Sequence, residues 1–372
     1  MKIAIITLPL HTNYGGILQA YALQTALERM GHEVEHLQPE VKYTTLHPAW
    51  KMPLVWTKRI IKKFLMGEWQ APIFENPHRW IRKYTNRFIK EHIHCCTLSS
   101  DQWNENLAAK YDAFIVGSDQ VWRSAYAYPI ERYFLSFLPK SSKNKRLTYA
   151  ASFGVKHCDI TPEQLKTCIP LLQRFDFVSV REQSGTEICK QKFNKEAIQL
   201  VDPTLLLQKE NYTKLIINAI PSKGNLFAYI LDQSTATEQF IELVAKHLKL
   251  TPFRANSKCE NEKAKISERL QAPVEQWLRG FNDAEFVVTD SFHGCVFSII
   301  FNKPFLCIGN SNRGSERFDS LFKQIGLNTC IIDINDCMED SLKKCKINWD
   351  EVNPRLEDLR KEAFNYLEHA LK

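Results

Sequence analysis

Short apolar runs that end abruptly in small polar or charged residues recur through the first half of the chain. Residues 2–8 are apolar and β-prone, and His11-Thr12-Asn13-Tyr14-Gly15-Gly16 follows them. Residues 17–30 then place Leu18, Ala22, Ala26 and their neighbours at helical spacing. Gly31 ends that helix, and "EVEHL" returns as a second strand. The pattern predicts a βαβ unit opening a Rossmann-like sheet, without the G-x-G-x-x-G dinucleotide fingerprint. Ala113–Val116 stops at Gly117-Ser118-Asp119, "RLTYAASFG" at Ser152-Phe153-Gly154, and "FDFVSVREQSG" at Arg181-Glu182. Taken singly, Asp119 reads as a helix cap and Arg181-Glu182 as a solvated ion pair. Taken together in a parallel sheet, these ends line one crevice, where open α/β sheets bind ligands.

Asp202-Pro203 interrupts the pattern, and a second α/β series begins at "NLFAYILDQ". It continues with a helix over residues 237–248, a strand near Phe253 and a helix at "APVEQWLRGF". Next comes the buried strand Phe286-Val287-Val288. Residues 295–301 read as a buried helix, and Phe305–Ile308 as another strand. The turn between the Phe286 strand and the buried helix holds Asp290-Ser291-Phe292-His293-Gly294. A polar residue there is an ordinary N-cap. The same position at a strand's carboxyl end also offers helix N–H groups to an anion. Residues 355–371 form an amphipathic helix that packs back across the domain junction. The expected domains are 1–205 and 206–350, the second with the His motif, followed by the helix of 351–372.

The 372 residues exceed one ordinary core, in agreement with two domains. Eleven cysteines without a C-x-x-C pair suit reduced thiols in the cytoplasm, not a disulfide framework or zinc site. The N-terminus has no secretory leader pattern, and no stretch is long enough to span a bilayer. A net charge of +7 fits anionic ligands or a membrane surface without implying nucleic acid. Neither H-x-x-x-H nor grouped carboxylates occur, so no metal is expected.

In order, "NYGGILQAYAL", "VGSDQVW", "SVRE", "VDPTLLL" and "TDSFHGCVFSIIFNKPF" resemble the polysaccharide pyruvyltransferase family, from Lys2 to about Leu327. The resemblance implies two Rossmann-like domains in the B-type glycosyltransferase arrangement. It also implies transfer of the pyruvyl group of phosphoenolpyruvate onto sugar hydroxyls as a cyclic ketal. Phosphoenolpyruvate is then a substrate and no cofactor is needed. The acceptor is a cell-surface polysaccharide or its lipid-linked precursor. Many relatives carry Arg two residues before the motif His, where this chain has Ser291. Downstream, Arg313 and Arg317 in "NRGSERF" are the candidates to supply that charge, because a guanidinium fork binds phosphate and carboxylate well.

On this footing His293 is the candidate general acid and Asp119 the base, or the residue that orients the acceptor hydroxyl. Arg181, Ser291, Phe292, Gly294, Arg313 and Arg317 are candidates for donor binding, and Asn13, Tyr14 and Gln19 for the acceptor. A nucleotide-sugar glycosyltransferase of the same architecture is the alternative enzyme, and a non-catalytic assembly protein the alternative class. Residues 52–69 place Lys58, Arg59, Lys62 and Lys63 on one helical face, with Trp56, Ile60, Ile61, Phe64 and Leu65 on the other. Two readings fit: an apolar face packed on the first domain, or a weak interfacial helix at the anionic inner membrane leaflet.

Overall fold

The computed structural model describes residues 1–40, 49–66, 77–255, 257–261, 263–309, 316–327, 330–336 and 338–372. The first sheet is built of β1 (Lys2–Ile6), β2 (Glu33–Pro39), β3 (Cys95–Leu98), β4 (Ala113–Val116) and β5 (Lys145–Thr148). They lie in the order β3-β2-β1-β4-β5, all parallel. Bridges Leu147–Phe177 and Ala151–Val180 continue this sheet into a small parallel pair, β6 (Ser179–Val180) and β7 (Ile198–Gln199).

A second sheet follows, from β8 (Leu226–Tyr229), β9 (Pro252–Phe253), β10 (Phe286–Thr289), β11 (Phe305–Ile308) and β12 (Ile331–Ile332). Its order, β12-β11-β10-β8-β9, is again all parallel, but counted along its own strands it reads 2-1-3-4-5 where the first sheet reads 3-2-1-4-5. Strands covered on both faces cannot alternate apolar with polar, and β4, β8, β10 and β11 are buried at every residue. The chain is thus α/β, with two Rossmann-like domains. No helix among the described residues is long and apolar enough to cross a membrane.

The two domains share one continuous core. It runs from Ile5 and Leu18 through Leu205 and Tyr212 to Trp277, Phe297 and Leu367. The last helix, Trp349–Leu371, returns to the first domain and closes that junction. Tyr366 Oη donates to the Thr148 carbonyl at 2.8 Å, Arg360 Nε to that of Leu205 at 2.6 Å, and Lys145 Nζ to that of Ala370 at 3.3 Å. The helix starts six residues before its apolar periodicity becomes visible. Asn348 caps it by accepting from the Asp350 N–H, and Pro354 lies inside it.

Other boundaries shift for similar reasons. The first helix is Tyr14–Arg29, because Asn13 accepts from the Gly16 N–H and nucleates it three residues early. The motif helix is Phe292–Ile300, capped by Ser291, which accepts from the Gly294 N–H at 3.3 Å. The basic stretch forms the helix Met52–Met66, and residues 67–69 lie outside the described residues. Its apolar face is not packed on the domain: Trp56, Ile60, Ile61, Phe64 and Leu65 are all exposed.

Candidate active site

The carboxyl ends of the central strands converge on a cavity of about 550 Å³ between the two sheets. Thr12, Asn13, Asp119 and Gln120 line it from the first domain. Asp290, Ser291, Phe292, His293 and Arg317 line it from the second. The residues of "TDSFHG" divide the work of building the second wall. Asp290 accepts from the Leu231 and Asp232 N–H groups at 2.7 and 2.9 Å, which pins the loop after β8. Ser291 caps the helix, and Thr289 Oγ1 donates to the Tyr229 carbonyl. A Cβ on Gly294 would fall 2.1 Å from Thr289 Oγ1, so the helix approaches β10 this closely only with glycine.

His293 is buried, and its imidazole lies between the domains. Nε2 is 3.5 Å from Asp202 Oδ2, at ion-pair distance, and has no hydrogen-bond partner among the described residues. The other ring nitrogen lies against Gly15, where an added Cβ would come within 1.9 Å of Nδ1. The Asn-Tyr-Gly-Gly turn therefore provides a seat for the imidazole as well as a helix start.

Asp202 is the residue that sequence reasoning misses; along the chain it reads only as a break before Pro203. It is buried and fully engaged. Oδ2 accepts from Arg181 Nη1 at 2.7 Å and Ser118 Oγ at 3.3 Å, while Oδ1 accepts from the Thr204 N–H and hydroxyl. Burial would push its carboxyl up. His293, Arg181 and the Thr204 N–H outweigh burial and hold it well below the usual carboxylate range. The signal the sequence does carry is a carboxylate at the end of a β-prone run, directly before the domain crossing.

Arg181 and Glu182 are not a solvated pair, because both are buried. Glu182 Oε1 accepts from Ser152 Oγ and the Gly154 N–H, each at 2.7 Å, and so holds the loop after β5. Arg181 lies behind the cavity wall, tied to Asp202, with Nε and Nη2 unbonded among the described residues. Its guanidinium stands 4.7 Å from the Phe292 ring centroid, and Arg317 stands 5.5 Å from the same ring. Arg317 is the arginine on the wall. Burial, then the charge of Arg181, brings its pKa down to about 10, so it stays cationic near neutral pH. Two buried guanidiniums stand by one aromatic ring beside a helix N-terminus; Asp202 and Glu182 balance the charge of Arg181, and Arg317 is left to face the cavity. Arg313 lies outside the described residues.

Asp119 sits on the opposite wall with a left-handed backbone, φ +78°. Its carbonyl accepts from the Ser152 and Val121 N–H groups, and Oδ1 accepts from the Gln120 N–H at 2.8 Å. Bonds on all sides over-determine this strained turn, as is common at functional sites. His11, also missed, is brought down to about 4 by burial and then by Arg82. It accepts at Nδ1 from the Thr12 N–H and places Thr12 on the wall.

Four residues expected to touch substrate do not line the cavity: Arg181, behind its wall, and Tyr14, Gln19 and Gly294. Tyr14 is fully buried in the second domain, stacked on Trp277 at 5.2 Å, and donates to the Ala272 carbonyl at 2.8 Å. Gln19 is buried, donating to Thr7 Oγ1 and the Gly16 carbonyl. Gly294 is behind the wall, and its N–H is occupied by Ser291. Tyr14→Phe is therefore expected to lower stability by roughly 1–2 kcal/mol, read as a lower melting temperature, with acceptor KM unchanged. Unchanged melting with a raised acceptor KM would return Tyr14 to the binding surface.

A two-domain α/β scaffold with a polar cleft at facing strand ends, an arginine and an imidazole on its wall, defines the general class. A family profile described as polysaccharide pyruvyl transferase matches residues 13–312. The chain belongs to that family and is a transferase. No curated protein gives a significant match. Similar solved structures include UDP-GlcNAc 2-epimerase from Neisseria meningitidis bound to UDP-GlcNAc, at 11% identity and TM-score 0.48. That similarity covers 99% of this chain and 100% of the other. An S. aureus MnaA–UDP structure has 11% identity and TM-score 0.49, covering 100% and 97%. E. coli ADP-heptose LPS heptosyltransferase II has 12% identity and TM-score 0.38, covering 97% and 99%.

Proposed function

We propose that the protein transfers the pyruvyl group of phosphoenolpyruvate onto two hydroxyls of a saccharide, in the cytoplasm, forming a pyruvate ketal. The acceptor is a surface polysaccharide or its lipid-linked precursor. The observation that carries this reading is the Arg181–Phe292–Arg317 corner directly beside the His293–Asp202 pair. Phosphoenolpyruvate has a phosphate and a carboxylate to neutralise and a methylene carbon to protonate.

Arg317 and the first turn of the motif helix hold the donor's anionic groups, in place of the arginine that Ser291 replaces. Arg181 adds charge from behind and fixes Asp202. His293 delivers a proton to the methylene carbon, with Asp202 orienting the ring and balancing its charge. The central carbon then accepts one sugar hydroxyl, whose proton passes to Asp119. Phosphate leaves with the electrons of the C–O bond and takes the proton held by Asp119, and a second hydroxyl closes the ketal as its own proton returns to His293. In this reading Asn13 and Thr12, which line the cavity, meet the acceptor.

Calorimetric titration with phosphoenolpyruvate and, separately, with a uridine diphosphate sugar tests the donor. Phosphoenolpyruvate is expected to bind, and Arg317→Ala to weaken it about 10- to 100-fold, the size of a lost charge-assisted contact. Acceptor KM should stay within a few-fold. Binding of the nucleotide sugar alone would make the protein a glycosyltransferase. Unchanged phosphoenolpyruvate affinity in Arg317→Ala would remove Arg317 from the donor site.

A further inference from the structure

The helix Met52–Met66 has no part in the cavity, yet its composition and its placement are both unusual. Residues 49–66 contain five lysines and arginines and neither Asp nor Glu. At 100° per residue, Leu54, Trp56, Ile60, Ile61, Phe64 and Leu65 cover one half of the helix. Lys58, Arg59, Lys62 and Lys63 occupy the other half in the sequence. The apolar half is turned to solvent: Phe64 is 83% exposed and Leu65 79%. Val55, on the basic half, is only half-exposed. Trp50, just before the helix, is 72% exposed. A helix that turns its apolar half outward needs another apolar phase to cover it.

The connection that carries the helix starts from the strand end of the first sheet and returns beside the cavity. It leaves the first sheet at the carboxyl end of β2, where Gln38 Oε1 accepts from the Leu10 N–H at 2.9 Å. It rejoins at Ile81, whose carbonyl accepts from the Gln271 N–H at 3.0 Å. Gln271 lines the cavity and donates to the Thr12 carbonyl.

We propose that this helix lies in the surface of an anionic bilayer, apolar half in the acyl boundary and lysines at the headgroups. It thereby holds the substrate cleft against the leaflet. A short apolar half buries enough to attach but not to anchor, and the unbroken positive charge selects anionic lipid. The membrane contact stands on the helix alone. Its use, delivery of a lipid-linked acceptor to the cleft, rests on the proposed function.

The test is co-sedimentation of the full chain with vesicles of phosphatidylcholine, or of phosphatidylcholine and phosphatidylglycerol in equal parts, at low and high salt. Wild type is expected to sediment with the anionic vesicles only and to be released by salt. Changing Lys58, Arg59, Lys62 and Lys63 together to Gln should weaken binding at least about tenfold. Phe64→Ser with Leu65→Ser should weaken it comparably without lowering the melting temperature, since both side chains are exposed. No sedimentation at low salt would overturn the proposal. So would equal binding to neutral vesicles that ignores the lysine changes. A wild-type dimer that Phe64→Ser with Leu65→Ser converts to monomer, without vesicle binding, would also overturn it and give the face to a second copy. Salt-sensitive vesicle binding by a protein that transfers no pyruvyl group would leave this contact standing and reject the proposed function instead.

Discussion

His293→Ala is expected to lower turnover by about 100- to 10,000-fold, the range for loss of a positioned proton donor. The fold should survive. Asp202 keeps Arg181, Ser118 and Thr204 as partners after the imidazole is gone, so no buried charge is left unpaired. Donor affinity should change little, because Arg317 and Phe292 remain on the wall. Steady-state kinetics with a thermal melt separate the cases. A fall in kcat with unchanged melting fits proton transfer. A rise in donor KM with kcat preserved would make His293 a binding residue only.

Gly15→Ala should come next in size, and its sign is informative. At a helical position alanine is ordinarily better than glycine by roughly 1 kcal/mol, so a purely local view expects a more stable protein. The new methyl would instead fall 1.9 Å from His293 Nδ1 and 2.3 Å from Cγ. A buried ring pinned against Asp202 has little room to yield. The expected result is lower stability together with roughly a 100-fold loss of turnover, the scale of a displaced catalytic group. The double change Gly15→Ala with His293→Ala removes the clash. It should therefore melt above Gly15→Ala alone, a coupling that independent sites would not show. A Gly15→Ala protein with full activity and raised stability would mean the imidazole does not rest there.

The parallel sheets are legible in the sequence because strands buried on both faces leave continuous apolar runs, as at Ala113–Val116 and Phe305–Ile308. Their polar ends locate one side of the cleft, and Asp119 and His293 do face one cavity. Contacts between distant parts of the chain are not legible. Asp202 looks like a loop residue because its partners are distant along the chain: Arg181 reaches it by the folding of the first domain, and His293 only when the two domains dock. Tyr14 looks like a substrate contact because a tyrosine in a glycine turn reads as exposed. Its hydroxyl instead bonds Ala272 in the other domain. Arg181 and Arg317 are equal candidates by type, and only the packing of Phe292 between them shows which one faces the cavity. The helix Met52–Met66 allows two readings along the chain, and in the fold Phe64 and Leu65 are exposed.

The most direct test of pyruvyl transfer works whichever sugar is the acceptor. Surface polysaccharide is isolated from cells that carry the gene, from cells deleted for it, and from deleted cells given back wild type or His293→Ala. Acid-labile pyruvate is then measured per sugar, with the ketal methyl signal read by NMR. Pyruvate should disappear on deletion, return with wild type and stay absent with His293→Ala, while the sugar backbone is unchanged. Pyruvate that persists after deletion, or a backbone that loses a sugar while keeping its pyruvate, would contradict the assignment.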